Sequence, residues 1–99
     1  MTSVLRTSLF DRWLARLKDN RGKARILHRV RAAERGNFGD CKALGNGVFE
    51  LRIHSGPGYR VYCARKGEMT IVLLCGGTKS RQRRDIAVAT QLALALKQD

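Results

Sequence analysis

Acidic residues are scarce in this chain. Eight Asp and Glu stand against twenty Lys and Arg, giving a formal charge of +12 and an isoelectric point near 10.9. A domain this basic is expected to meet nucleic acid or an acidic partner protein. Long apolar runs are missing too: nothing approaches the roughly 18 residues of a membrane-spanning helix. The N-terminus has no secretory h-region, so the expected location is cytoplasmic, with no membrane partner. Cysteine is limited to Cys41, Cys63 and Cys75. Their odd number and wide spacing exclude a disulfide framework. They also lack the close ligand pairs of a zinc site, so no metal or other cofactor is expected. Aromatics amount to one Trp, two Tyr and three Phe. That is too few for the stacking platform of a single-strand-binding module, and Phe10 and Trp13 read as core. Repeats and linkers are absent, so residues 1–99 read as one small domain with one core.

What is present is a pair of alternating segments around Gly56-Pro57-Gly58. Phe49, Leu51, Ile53, Tyr59, Val61 and Cys63 fall at odd positions; Glu50, Arg52, His54, Arg60 and Tyr62 fall at even ones. Successive strand side chains point to opposite faces, so each segment reads as a strand with one apolar and one polar face. The turn then sets Arg52 roughly opposite Arg60. Like charges directly opposite each other destabilise a sheet. Stability alone does not account for the pair, whereas a negatively charged ligand such as a phosphate does.

The remaining elements follow from periodicity. Residues 2–6 read as an N-terminal edge strand. Thr7 or Ser8 caps a first helix, with Phe10, Trp13, Leu14 and Leu17 in one apolar stripe. Asp19-Asn20-Arg21-Gly22 breaks it, and a second helix is expected from about Lys23 to Arg35, stopped by Gly36-Asn37. A short strand at Cys41–Leu44 precedes strands at about 48–54 and 59–65. Met69 to Cys75, apolar on both faces, reads as a doubly covered strand ended by Gly76-Gly77. Asp85 to Leu96 forms the last helix. The fold class is α+β: an antiparallel sheet, built from the edge strand and a three-stranded meander, packed by two N-terminal helices and a C-terminal helix.

Five segments together carry a family pattern: Phe10-Asp11-Arg12-Trp13-Leu14, Gly36-Asn37-Phe38-Gly39-Asp40, Gly47-Val48-Phe49-Glu50-Leu51-Arg52-Ile53, Gly56-Pro57-Gly58-Tyr59-Arg60-Val61-Tyr62 and Gly76-Gly77-Thr78-Lys79-Ser80-Arg81-Gln82. In these the chain resembles the HigB-like addiction-module killer proteins of the RelE/ParE toxin superfamily. Thr78 departs from the Asp usual at that place in the group. The resemblance implies a toxin restrained by a cognate antitoxin protein in a hetero-oligomer. Many proteins with this fold act on mRNA in the ribosome; others, of the ParE type, poison DNA gyrase. Fold alone does not choose between them.

Metal-independent RNA cleavage needs a base for the ribose 2′-hydroxyl, cations for the transition-state phosphate, and an acid for the leaving 5′-oxygen. Arg52, Arg60 and Lys79 are the candidate cations. The resemblance implies that Arg60 stabilises phosphate and that Lys79 is the family's basic residue after the last strand. His54 is a candidate base or acid, since histidine changes charge near neutrality; the alternative is a solvated turn histidine. Glu50 is a second candidate base, or else an ion-pair partner of Arg52 or Arg60. Tyr62 is placed to stack on a base or bind a phosphate, or to serve as a sheet aromatic. Arg81, Arg83 and Arg84 are expected to join Lys79 around a phosphate, while Arg21, Lys23, Arg25, Arg29, Arg31 and Arg35 make the second helix strongly basic. After Tyr62 the chain has neither the tyrosine nor the histidine that RNA-cleaving relatives place near the C-terminus. Three functions stay open: a ribosome-dependent mRNA endonuclease, a non-nucleolytic toxin acting on gyrase, and a degenerate antitoxin-binding module.

Overall fold

The computed structural model describes residues 2–97. In order they form β1 (Ser3–Arg6), α1 (Ser8–Arg16), α2 (Asn20–Glu34), β2 (Cys41–Gly45), β3 (Val48–Ile53), β4 (Tyr59–Arg65), β5 (Thr70–Thr78), a short 3-10 turn at Lys79–Arg81, and α3 (Gln82–Lys97). The sheet has five strands in the order β1-β5-β4-β3-β2. β2 to β5 form an antiparallel meander, and β1 adds to β5 in parallel, so the sheet is mixed. The α+β class therefore holds, with one strand more in the meander than expected and one parallel pair.

Local chemistry sets the helix starts. Thr7 caps α1: its hydroxyl accepts from the Phe10 N–H and donates to the Leu74 carbonyl, tying the helix to β5. Asp19 caps α2 by accepting from the Gly22 N–H. That bond turns Asp19-Asn20-Arg21-Gly22 from a helix break into a helix start, so α2 begins at Asn20 rather than Lys23.

Both faces of the sheet are covered. α1 and α2 close one core over Leu51, Ile53, Tyr59, Val61 and Leu73, with Phe10, Leu14, Ile26 and Val30 filling it. α3 closes a second core over Val48, Tyr62, Ala64, Val72, Leu74 and Cys75. The small Ala89 and Ala93 let α3 approach closely. The β4–β5 ladder slips between Tyr62 and Cys63, which pair with Cys75 and Leu73, so Leu74 is a bulge. Leu74 and Cys75 consequently both belong to the α3 core.

β5 does not end at Gly76-Gly77. Gly76, Gly77 and Thr78 pair with Val61, Arg60 and Tyr59. The two glycines instead make room across the sheet. A Cβ on Gly76 would lie 2.3 Å from the Trp13 ring, and one on Gly77 would lie 1.8 Å from the Asp85 carboxylate. A strand glycine here marks close approach rather than a stop. Among the described residues no helix is long and apolar enough to cross a membrane.

Candidate functional site

The C-terminal ends of β3 and β5, the start of β4 and the 3-10 turn meet at one end of the sheet. There Arg52 pairs with Arg60, and Glu50 with Tyr62, in the β3–β4 register. The parity expectation thus places both guanidiniums on the α3 face with Glu50 between them. Arg52 Nε donates to Glu50 Oε1 at 3.2 Å. Arg60 Nε stands 3.7 Å from Glu50 Oε2, an ion-pair distance too long for a hydrogen bond. Gln82, in the first turn of α3, donates to Oε1 at 3.2 Å and Oε2 at 3.0 Å.

Glu50 is completely buried. Two arginines and an amide occupy its oxygens, so it is a counter-ion and not a free base. Arg60 is 6% exposed, and its Nη1 donates to the Tyr59 carbonyl at 3.1 Å. Lys79 joins at the β3–β4 turn: its N–H donates to the Gly58 carbonyl at 2.7 Å. Gly58 has φ +80°, and a Cβ there would sit 3.4 Å from Lys79 Cβ and 3.7 Å from Arg60 Nη1. The Lys79 stem and the Arg60 guanidinium therefore flank one glycine, and three cations against one carboxylate leave this cluster positive.

Other expected site residues lie elsewhere. Tyr62 is fully buried beneath α3, so its ring is closed to base stacking; its hydroxyl has no partner, and burial pushes its ionisation upward. α3 covers the polar face inferred from alternation. Arg81 and Arg84 line a cavity of about 470 Å³ between α1 and α3, together with Trp13, Arg16 and Asp85. Arg83 faces a separate hollow with Gln82 and Ile86. The three arginines do not converge on one phosphate. In the same region Asp85 Oδ2 is buried without a partner, and desolvation raises the carboxyl above its ordinary value.

His54 lies just past β3 and belongs to the α2 side. Its Nε2 is 2.6 Å from Asp40 Oδ2, and that hydrogen bond is the main reason the Asp40 carboxyl is held below its usual range. His54 lines a cavity of about 580 Å³ with Arg21, Arg25, His28, Arg29 and Arg52. Arg29 forms the floor by donating to the carbonyls of Arg52, Phe38 and Asp40. His28 is a residue that sequence reasoning missed. Its signal was available: Arg21, Arg25 and His28 recur at i, i+4 and i+7, one face of a helix.

Cys63 and Cys75 are buried and Cys41 exposed, all as free thiols. Burial raises the Cys63 and Cys75 thiols above their ordinary values, the behaviour of inert core residues.

Two comparisons with known proteins bear on this site. The family model described as "Phage derived protein Gp49-like (DUF891)" matches residues 12–95, a span that contains every site residue just described. An uncharacterized protein of Haemophilus influenzae is 48% identical over 97 residues, covering 97% of this chain and 98% of the relative.

Proposed function

The chain belongs to the phage-derived Gp49-like family, and from that membership and the cationic end of the sheet we propose that it is the toxin of a type II toxin–antitoxin module. In this reading it is a ribosome-dependent mRNA endonuclease that inhibits translation in the cytoplasm and is neutralised by a cognate antitoxin protein. The resemblance to the HigB-like group of the RelE/ParE superfamily supports it. So does the single observation on which it chiefly rests: Arg60 paired with Arg52 in the ladder, with the Lys79 stem beside its guanidinium.

Each cation has a role in the chemistry. Arg60 is held by the Tyr59 carbonyl and Glu50, so its charge is fixed in orientation at the end of the sheet where Lys79 is exposed. Preorganised donors aimed at developing charge are the strongest catalytic device available to such a site. Lys79 is exposed and supplies a mobile positive charge at the rim. The ribosome contributes by positioning the message, which is worth several orders of magnitude in rate.

One observation favours a second reading. Glu50 draws on the charge of both arginines, and a ParE-type toxin that binds gyrase needs no free cation at this place. Induced expression followed by mapping of transcript ends separates the two. Cuts confined to translated messages support the endonuclease. Growth arrest with intact messages and a DNA-damage response supports the gyrase reading, and no arrest at all points to a module that only binds antitoxin.

A further inference from the structure

We propose that the cleft between α2 and the end of β3 receives the sugar–phosphate backbone of RNA, and that His28 and His54 on its walls are the proton-transfer pair for cleavage. The proposal rests on the endonuclease reading, and it supplies the acid and base that Glu50 and Tyr62 do not provide.

The cleft has the volume of a ligand site, about 580 Å³. Its cations come in two kinds. Arg29 is spent on three carbonyl groups. Arg21 and Arg25 are exposed, and among the described residues neither has a carboxylate at ion-pair distance. Arg21 lies near enough to Asp19 to help hold its carboxyl low, but both guanidiniums are exposed, and exposed guanidiniums beside a cavity suit a phosphodiester, which they bind in a two-pronged fashion. Arg52 touches Glu50 and also lines the cleft. The cleft and the Arg60 and Lys79 cluster thus adjoin the same end of β3 from opposite faces of the sheet.

The two imidazoles come from different elements, His28 from α2 and His54 from the segment just past β3. The Asp40 carboxyl, held below its usual range, stays ionised and accepts from His54 Nε2–H. That leaves Nδ1 as the nitrogen of His54 that gains or loses a proton. In the step proposed, neutral His54 takes the 2′-hydroxyl proton as the 2′-oxygen–phosphorus bond forms. The phosphorus–5′-oxygen bond breaks, and protonated His28 delivers its proton to the departing 5′-oxygen. The products are a 2′,3′-cyclic phosphate and a 5′-hydroxyl. One proton is taken and one returned, and no co-reactant is needed.

The test has a binding arm and a rate arm. A dinucleotide with a 2′-deoxy 5′ residue cannot be cleaved. Titrated into the protein, it is expected to shift the ring-proton NMR signals of both His28 and His54, and Arg25→Glu is expected to weaken that binding about tenfold. On ribosomes programmed with message, His28→Gln and His54→Gln are each expected to slow cleavage about 100-fold while leaving dinucleotide affinity within about twofold. All three positions are exposed or solvent-lining, so the variants should fold, and circular dichroism checks this. Absence of shifts at both rings overturns the site whether or not the protein cleaves RNA. Cleavage at the wild-type rate in both histidine variants overturns the proton-transfer roles. If the wild-type protein shows the shifts but cuts no message, the endonuclease reading and the proton-transfer roles fail, and the cleft stands as a nucleotide-binding site.

Discussion

Arg52 stands directly across from Arg60 in the β3–β4 ladder, and one buried carboxylate, Glu50, serves both. Like charges in that position repel; here the acid two residues before Arg52 offsets the cost. Gln82 reaches down from α3 to the same carboxylate, so the cluster also fixes the start of that helix on the sheet.

Glu50→Gln removes the only negative charge from this cluster and leaves two largely enclosed guanidiniums facing each other. Breaking a buried ion pair by deleting one partner costs about 3–5 kcal/mol. Urea unfolding is expected to show a loss of that order. A variant as stable as the parent would mean that water already screens the cluster.

Arg60→Ala is expected to abolish toxicity on induction, but Arg60 is buried and the variant is also expected to lose stability. The double variant Arg60→Ala, Glu50→Gln separates the two effects, because it deletes both members of the buried Arg60–Glu50 pair and leaves unpaired only Arg52, which is partly exposed. It should regain part of the stability and remain non-toxic. A toxic double variant would show that the arginine holds structure and does not bind phosphate.

Gly76→Ala is expected to destabilise more than Gly77→Ala. The added methyl at Gly76 meets the Trp13 ring at 2.3 Å, whereas at Gly77 it meets the Asp85 carboxylate at 1.8 Å. A bulky, rigid indole must move as a whole ring and disturb its packing on Phe10 and Tyr59, while a carboxylate rotates. Overpacking of this kind costs about 1–3 kcal/mol. Thermal unfolding of the two variants gives the order.

That glycine pair shows where reading the sequence stopped. Two glycines after an apolar run look like a strand terminus, because nothing local reveals that Trp13 and Asp85 lean on them from opposite faces. The β3–β4 register was legible, since alternation in Glu50-Leu51-Arg52-Ile53 and Tyr59-Arg60-Val61-Tyr62 admits one pairing that buries the odd residues. The fate of Tyr62 was not. Its burial depends on Ala89 and Ala93, whose small size lets α3 settle on the polar face, and small residues leave little trace in a hydrophobic pattern. For the same reason the expected site dispersed. Arg81, Arg83 and Arg84 are close in sequence, but helical rotation turns Arg83 toward a separate hollow from the cavity that Arg81 and Arg84 share.

The acid limb of stability is expected to depend on Asp19. Its carboxyl is held below the ordinary 3.8, first by the Gly22 N–H and then by the Tyr59 hydroxyl. A depressed folded value means stability that is present above the unfolded value and lost as pH falls through the folded one. Asp40 acts in the same direction through His54. Asp85, raised by desolvation, acts in the opposite one: its contribution grows as pH falls. Asp19→Asn keeps a side-chain cap but cannot titrate. Melting temperature followed from pH 5 downward should therefore fall less steeply in this variant than in the parent. Parallel curves would assign the acid limb to other carboxylates.

Arg83 and Arg84 differ by one position, and their expected effects on RNA binding differ sharply. Arg83 follows Gln82, the residue that grips Glu50, and shares a hollow with it. Arg84 faces the cavity between α1 and α3, beside Trp13 and Asp85. An RNA backbone that runs along the Glu50 and Gln82 side of the cluster passes Arg83 and does not enter the α1–α3 cavity that Arg84 lines. A side chain that neutralises a phosphate contributes close to one unit to the salt dependence of binding. Arg83→Ala should therefore reduce the slope of log affinity against log salt by about one, and Arg84→Ala should leave it unchanged. Fluorescence anisotropy with a short single-stranded RNA, run at several salt concentrations, measures both. Equal losses in the two variants would mean that the RNA follows the overall positive charge of α3 and not the end of the sheet.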